Sequence, residues 1–226
     1  MSSMPVIICL GDSLTAGYQS PTSDFPALRE TPYGTMLQEE LGPGARVVIS
    51  GICGELTGEM VLRFRRDVLA QAPAAVVVLG GTNDLGWNAA PAEIMRNLLK
   101  MYEQALAAGI RLVAVTVPSV RAGGSPADAS PAPTGSAIDA ETRRWLDEHI
   151  ARRQELNKLI ADYCARRQVA CVDLFAATAE PETLRLAAPY SNDGLHLTTE
   201  GYRLLADLLY AQVFAGWLGQ SSRPAR

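Results

Sequence analysis

Residues 5–14 read PVIICLGDSL, and the interpretation of the whole chain starts from this stretch. Its apolar part, residues 5–10, has the length and composition of a strand buried on both faces, as in a parallel sheet. Gly11 allows a sharp turn at the end of that strand, so Ser13 presents its hydroxyl at a strand-to-loop junction. Serine is a weak nucleophile unless a base takes its proton and a third group orients that base. The chain holds two histidines that could act as the base, His149 and His196.

Length and composition favour one globular domain over residues 1–226. The chain is 226 residues long and 48% hydrophobic, which is enough to bury a full core. A net charge of −4, from 20 basic and 24 acidic residues, does not favour a nucleic-acid partner. The sequence lacks both an apolar stretch of the roughly 18 residues that a membrane span needs and a recognisable signal peptide. We therefore expect a cytoplasmic protein without a membrane span. The apolar last helix suits either the sheet or a second copy, so the oligomeric state stays open.

Neither the four cysteines nor the densest group of basic residues predicts a functional site. Cys9, Cys53, Cys164 and Cys171 lack metal-ligand spacing, and we expect free thiols, although Cys53 neighbours the presumed site. The densest basic cluster, at positions 63, 65 and 66, is predicted to form the solvated face of a helix rather than a phosphate site.

Strand and helix patterns alternate along the chain. Predicted strands cover residues 5–10, 46–50, 74–79, 110–117 and 169–174. Predicted helices cover residues 33–41 and 91–109, a segment that Thr57 caps, a long segment after residue 140, whose apolar side includes Trp145, and a final segment that Thr198 caps. Residues 18–32 and 119–140 are predicted to be irregular. The alternation predicts an α/β fold, a three-layer α/β/α sandwich with five parallel strands. Ligands bind such sheets beyond the carboxyl ends of the strands, where Ser13, Gly54 and Asn83 are expected.

Three short segments, at residues 11–14, 81–84 and 193–196, occur in a recognisable order. Their sequences are Gly-Asp-Ser-Leu, Gly-Thr-Asn-Asp and Asp-Gly-Leu-His. They resemble blocks I, III and V of the SGNH, or GDSL, hydrolases, and the resemblance spans roughly residues 5–217. It implies the flavodoxin-like strand order 2-1-3-4-5 and a serine esterase or lipase activity.

The resemblance implies a role for each site residue. Ser13 would be the nucleophile, His196 the base that takes its proton, and Asp193 the carboxylate that orients the imidazole. The oxyanion hole would consist of the backbone N–H of Ser13, the backbone N–H of a block II glycine and the side-chain amide of Asn83. Taken singly, each residue also has a structural interpretation: Ser13 as a helix cap, His196 as a cap of the last helix, Asp193 and Asn83 as turn formers.

Block II is the weakest match, because Gly51, Gly54 and Gly58 all compete for the same role. We choose Gly54 from its alignment with the family glycine, and a tight turn requiring positive φ is compatible with that role. Asp12 is predicted to brace the nucleophile turn, and Asp84 to brace the Asn83 loop. No metal is expected, because the chemistry does not require one and the sequence does not suggest one. A nucleotide cofactor is not expected either, since the glycines of residues 51–54 fit neither nucleotide-binding pattern.

The leading prediction is a carboxylic ester hydrolase that acts on short-chain acyl or acetyl esters through a covalent acyl-enzyme. An acyl thioesterase or lysophospholipase with longer-chain preference is the alternative, followed by a non-catalytic carbohydrate- or lipid-binding module. The pocket is expected from loops at residues 19–32, 85–88 and 119–140, with the last overhanging the site as a lid. Trp87 and Tyr190 are candidates for its lining, although either could belong to the core.

Overall fold

A five-stranded parallel sheet, covered by helices on both faces, organises the structure. The computed structural model describes residues 4–22, 26–122 and 138–218. Along the chain, the strands and helices of the described residues are β1 (Val6–Gly11), α1 (Ser13–Ala16), β2 (Tyr18–Gln19), β3 (Arg29–Glu30), α2 (Tyr33–Leu41), β4 (Arg46–Gly51), α3 (Thr57–Asp67), β5 (Ala75–Leu79), α4 (Thr82–Gly86), α5 (Pro91–Ala107), β6 (Arg111–Val115), α6 (Ala140–Arg167), β7 (Ala170–Val172), α7 (Leu174–Thr178), α8 (Thr199–Leu209) and α9 (Ala215–Leu218). Three short 3₁₀ turns and a π-helical turn, at Gly42–Gly44, Leu69–Gln71, Ala188–Tyr190 and Tyr210–Phe214, link some of them.

The order of the strands in the sheet is β4-β1-β5-β6-β7, with every pairing parallel. Counted among these five strands along the chain, the order is 2-1-3-4-5. The predicted α/β fold class and strand order are therefore confirmed. Strands β2 and β3 form a separate antiparallel pair inside the stretch that was predicted to be irregular.

Alternate residues of each central strand belong to opposite core layers. In β1, Ile7 and Cys9 pack on one face of the sheet together with residues of α2 and α8. Ile8 and Leu10 pack on the other face with residues of α3, α5 and α6. Because both faces are buried, the strand has no polar side to show, which explains its uninterrupted apolar sequence.

Local details differ from the sequence-based expectations at three positions. Thr57 is the first residue of α3 rather than its cap, because its N–H and hydroxyl both donate to the Asp84 carboxylate. The fifth strand ends at Val172, since the Asp173 carboxylate accepts the Ala176 N–H and starts a helix. Trp145 is 48% exposed instead of buried, and its ring stacks on that of His149 with 4.2 Å between centroids.

The predicted irregular insertion at residues 119–140 lies largely outside the described residues, which resume at residue 138. The lid hypothesis therefore falls on residues that the structure does not describe. A single domain over residues 1–226 stays a prediction. None of the helices among the described residues combines the length and apolarity that a bilayer crossing requires.

Candidate active site

The turn after β1 places Ser13 at the carboxyl edge of the sheet. Asp12 caps α1, with its carboxylate accepting the Leu14 N–H at 2.9 Å. A Cβ on Gly11 would lie 2.2 Å from the Thr15 hydroxyl oxygen and 2.3 Å from the Leu79 carbonyl oxygen. Residue 11 must therefore be glycine for the chain to turn so closely against β5. The result is a serine at the first position of a short helix, held by backbone geometry.

The second segment of the site is a loop whose sequence is Asp-Gly-Leu-His, residues 193–196. Oδ1 of Asp193 accepts the backbone N–H groups of Leu195 and His196, at 2.8 and 2.7 Å. Gly194 has φ of +85°, a conformation that glycine adopts without strain. The side chain of Asp193 thus organises its own loop and points the imidazole of His196 back across the turn.

Ser13, His196 and Asp193 lie in series. The Ser13 Oγ is 3.1 Å from His196 Nε2, and His196 Nδ1 is 2.7 Å from Asp193 Oδ2. A third group, the Ser20 hydroxyl, donates to the same Oδ2. The Tyr18 ring packs against the imidazole, with 4.5 Å between ring centroids. All three residues that the sequence assigned to the relay are brought together.

The Asp193 carboxylate stays ionised in this setting. Burial opposes its charge, but hydrogen bonds from His196 and Ser20, attraction to His196 and the Leu195 N–H outweigh burial and hold the pKa well below its ordinary value. An ionised carboxylate on Nδ1 leaves Nε2 of a neutral imidazole free to accept the proton of Ser13.

Asn83 and Gly54 follow two strands next to β1 in the sheet. Asn83 lies in α4, directly after β5, and its Nδ2 donates to the Glu55 carbonyl oxygen at 3.0 Å. Gly54 precedes Glu55 and has φ of +79° with open space around its α-carbon. Of the other block II glycines, Gly51 pairs with Gly11 in the sheet and Gly58 lies in the first turn of α3. Gly54 is thus the candidate glycine next to the carbonyl that holds Asn83.

Asp84 connects this loop to α3. Its carboxylate accepts the backbone N–H and the hydroxyl of Thr57, the latter at 2.6 Å. The buried Asp84 therefore ties the segment that carries Asn83 to the end of the loop that carries Gly54.

The carboxyl group of Asp12 is the most perturbed acid beside the site. It is fully buried, and its Oδ2 has no hydrogen-bond partner in the part of the chain that the structure describes. Burial raises its pKa from 3.8 to about 7, although the Leu14 N–H and the His196 charge oppose the shift. The folded protein therefore holds this proton more tightly than the unfolded chain does.

Asp12→Asn is expected to remove a pH dependence of stability. Because the folded-state pKa lies above the unfolded one, this group favours folding at low pH, and its contribution is lost as pH rises toward 7. Relative to Asp12→Asn, the free energy of unfolding of the wild type should fall by about 2–3 kcal/mol from about pH 5 to about pH 8. Urea unfolding of both proteins at the two pH values measures the difference. A difference that stays constant with pH would contradict this assignment.

Arg63 is the structural residue that sequence reasoning missed, since the cluster containing it was predicted to face solvent. Its side chain is 7% exposed and forms an ion pair with Glu55 through two hydrogen bonds. A second carboxylate, from Asp67, accepts from Nη1 at 2.9 Å. Nη2 donates to the carbonyl oxygens of Gly11 and Ser50, both at 3.0 Å. Arg63 therefore joins the ends of β1 and β4 to the loop that holds Asn83.

A signal for this burial is present in the sequence. Residue 63 follows the buried Met60 by three positions and precedes the buried Phe64, so it lies at the border of the inward face of α3. The acidic residues at positions 55 and 67 supply its partners.

A cavity of about 450 Å³ adjoins the relay. From the relay Asp193 lines it, together with residues in and after α4, such as Asn83 and Trp87, and residues of α6, such as His149. Trp87 is 80% exposed and lines this cavity, whereas Tyr190 packs against the core and is not part of the lining. Cys53 is largely exposed. Partial burial of its thiol, together with nearby acidic groups, raises its pKa, which disfavours a reactive thiolate.

Comparison with known proteins decides the family. The sequence profile of the GDSL-like lipase/acylhydrolase family matches residues 9–204. The chain belongs to this family. Among curated proteins, an uncharacterized lipoprotein, YqeF, of Bacillus subtilis (strain 168) is similar to this GDSL-family chain, with 24% identity over 221 residues that cover 88% of this chain and 85% of that protein.

Solved structures of other proteins share the fold of this GDSL-family chain. A lipase/acylhydrolase from Enterococcus faecalis aligns with a TM-score of 0.70 and 23% identity, over 94% of this chain and 97% of that one. An aryl esterase from M. smegmatis aligns with a TM-score of 0.68 and 18% identity, over 93% of this chain and 99% of that one. These structures share its fold, and membership of the GDSL-like lipase/acylhydrolase family supports a hydrolase that acts on esters.

Proposed function

We propose that this protein is a serine hydrolase that cleaves short-chain carboxylic esters, acetyl esters included, through a covalent acyl-enzyme. The observation that carries the proposal is the relay in which Ser13 Oγ lies 3.1 Å from His196 Nε2, and His196 Nδ1 lies 2.7 Å from Asp193 Oδ2. These are the distances and the atom order that proton transfer from a serine to a carboxylate-oriented imidazole requires.

In the acylation step, Ser13 attacks the ester carbonyl carbon while its proton passes to His196. The protonated imidazole, stabilised by Asp193, then gives the proton to the leaving alcohol. Water then attacks the carbonyl carbon of the acyl-enzyme while its proton passes to His196. The bond between Ser13 Oγ and the acyl group breaks, the acid leaves, and His196 returns the proton to Ser13. Ser20 assists by holding the Asp193 oxygen that faces the imidazole.

The developing oxyanion needs donors that are already in place. The proposed donors are the N–H groups of Ser13 and Gly54 and the side-chain amide of Asn83. One amide hydrogen of Asn83 is bound by the Glu55 carbonyl oxygen at 3.0 Å, which fixes the direction of the other. Because Asp84 and Arg63 hold the two flanking segments, these donors need little rearrangement when charge develops.

The size of the adjoining cavity favours a small acyl or alcohol group, since about 450 Å³ lies near the lower end of the volumes of ligand pockets.

A cytoplasmic location stays a prediction.

A panel of p-nitrophenyl esters from acetate to palmitate tests the proposal. We expect kcat/KM to be highest for the short acyl chains and to fall as the chain outgrows the cavity. In parallel, a fluorophosphonate should label the protein once, with the added mass on the peptide that contains Ser13. A maximum at palmitate would favour the longer-chain thioesterase or lysophospholipase alternative, and a lack of hydrolysis and labelling would refute the hydrolase.

A further inference from the structure

The cavity beside the relay carries positive charge that ester hydrolysis does not use. Arg121 and Arg153 both line it. Within the described residues, neither arginine forms an ion pair with a carboxylate. A guanidinium at a cavity wall without a counter-ion is costly to bury, and an anion in the cavity would offset that cost.

Arg153 is the more buried of the two, at 2% exposure. Its Nε donates to the Pro118 carbonyl oxygen at 3.2 Å and its Nη1 to the His149 carbonyl oxygen at 3.3 Å. Both acceptors are neutral. Burial, together with the charge of Arg152, lowers the pKa of Arg153 to about 10, which leaves the side chain charged at neutral pH.

Two polar atoms of the same wall lack any partner among the described residues. They are Arg121 Nε and Thr82 Oγ1, both buried. Arg121 is fixed in place, since its Nη2 donates to the Ser191 carbonyl oxygen at 2.8 Å and its backbone N–H to that of Gly194. Buried donors are normally satisfied, so the Arg121 guanidinium has donor capacity that the described residues do not use.

The remaining lining suits the hydrocarbon part of such a ligand. Trp87, Trp145, Val120 and Leu195 provide apolar surface. His149 adds no charge at neutral pH, because burial and the neighbouring arginines lower its pKa. The Asp193 carboxylate also reaches the cavity, but both of its oxygens already accept hydrogen bonds within the relay loop.

We propose that this cavity binds a carboxylate group of the substrate, held by Arg121 and Arg153, so that the preferred esters carry a negative charge on the part that enters the cavity. This inference rests on the proposed ester hydrolase activity. The flat donor fork of each guanidinium matches the two oxygens of a carboxylate. Apolar walls around an anion site select a substrate with a short hydrocarbon body ending in an acid.

Matched ester pairs test the inference on the wild-type protein. p-Nitrophenyl hexanoate is compared with the mono-p-nitrophenyl ester of adipic acid, which places the charge on the acyl side. Phenyl acetate is compared with 4-acetoxybenzoate, which places it on the leaving group. We expect the charged ester of one pair to have a kcat/KM about tenfold above that of its neutral partner.

Variants connect this selectivity to the arginines. Arg121→Met should lower the charged-to-neutral ratio about tenfold, and Arg153→Lys should keep more of the ratio than Arg153→Met. The control is Arg166→Met, which removes an equal charge from an exposed position of α6, the helix that also carries Arg153. It should leave the charged-to-neutral ratio unchanged. Equal rates within both pairs, or an equal effect of Arg166→Met and Arg121→Met, would overturn the inference while leaving the hydrolase standing.

Binding without catalysis gives a separate readout. Calorimetric titration of Ser13→Ala with adipate should show binding that adipamide lacks and that the additional Arg121→Met change weakens about tenfold. Equal binding of adipate and adipamide would overturn the anion site. Failure of every ester to react, with adipate binding intact, would instead count against the proposed chemistry.

Discussion

Ser13→Ala is expected to lower kcat for p-nitrophenyl acetate by about 10⁵-fold. The variant keeps the imidazole and its carboxylate but removes the atom that lies 3.1 Å from Nε2. Without that oxygen the acyl-enzyme cannot form. The residual rate would come from the oxyanion donors and from substrate binding.

A double variant makes this test more specific, because the effects of the two substitutions on kcat should not add. In the proposed mechanism Ser13 and His196 act as one unit, so the double variant Ser13→Ala/His196→Ala should be scarcely slower than Ser13→Ala alone. Cys53→Ala is the control, since this exposed thiol is the other nucleophile near the site. Steady-state kinetics and an unfolding curve for each protein are sufficient. Retention of activity by Ser13→Ala, or its loss in Cys53→Ala, would refute the assigned nucleophile.

Arg63→Met should have the largest effect on stability, with a fall of about 3–5 kcal/mol in the free energy of unfolding. The substitution leaves the Glu55 carboxylate buried without its partner and removes the donors to the carbonyl oxygens of Gly11 and Ser50. Turnover should fall as well, since Glu55 holds Asn83. Urea unfolding and kinetics of the same preparation measure the two effects.

The neighbouring arginine provides the matched control. Arg66 is 74% exposed and, among the described residues, forms an ion pair with Asp67 only, so Arg66→Met should change stability little. Adding Glu55→Gln to Arg63→Met should restore part of the loss, because the double variant leaves no unpaired buried charge. Equally small losses in the free energy of unfolding for Arg63→Met and Arg66→Met would show that the hydrogen bonds and ion pairs of Arg63 do not stabilise the fold.

The sheet and the relay were accessible from sequence for different physical reasons. Apolar runs such as residues 5–10 reveal doubly covered strands because burial on both faces removes every polar position. Ser13, Asp193 and His196 stand in short segments whose backbone conformation depends on their own glycines and carboxylates, so local sequence carries most of the geometry. The strand order came from the resemblance to GDSL hydrolases.

The features that escaped prediction depend on contacts between distant segments. Arg63 is buried because it bonds to a carboxylate from the loop before its helix and to carbonyl oxygens from two strands, whereas an arginine taken by itself predicts an exposed position. Thr57 was predicted to cap α3, but its hydroxyl donates instead to the carboxylate of Asp84, which lies in α4. Arg121 and Arg153 line the same cavity although one lies in a loop and the other in a long helix, so no local sequence pattern predicts that they lie together.

The position of β4 in the sheet has a thermal consequence. This strand is outermost, bonded to β1 on one side, and the loop with Gly54 continues from it. Outer strands open more readily than inner ones, so local fraying would displace the loop that carries Gly54, a proposed oxyanion donor, while the rest of the sheet stayed folded. The guanidinium of Arg63 donates to carbonyl oxygens at the ends of both strands and thereby opposes this fraying.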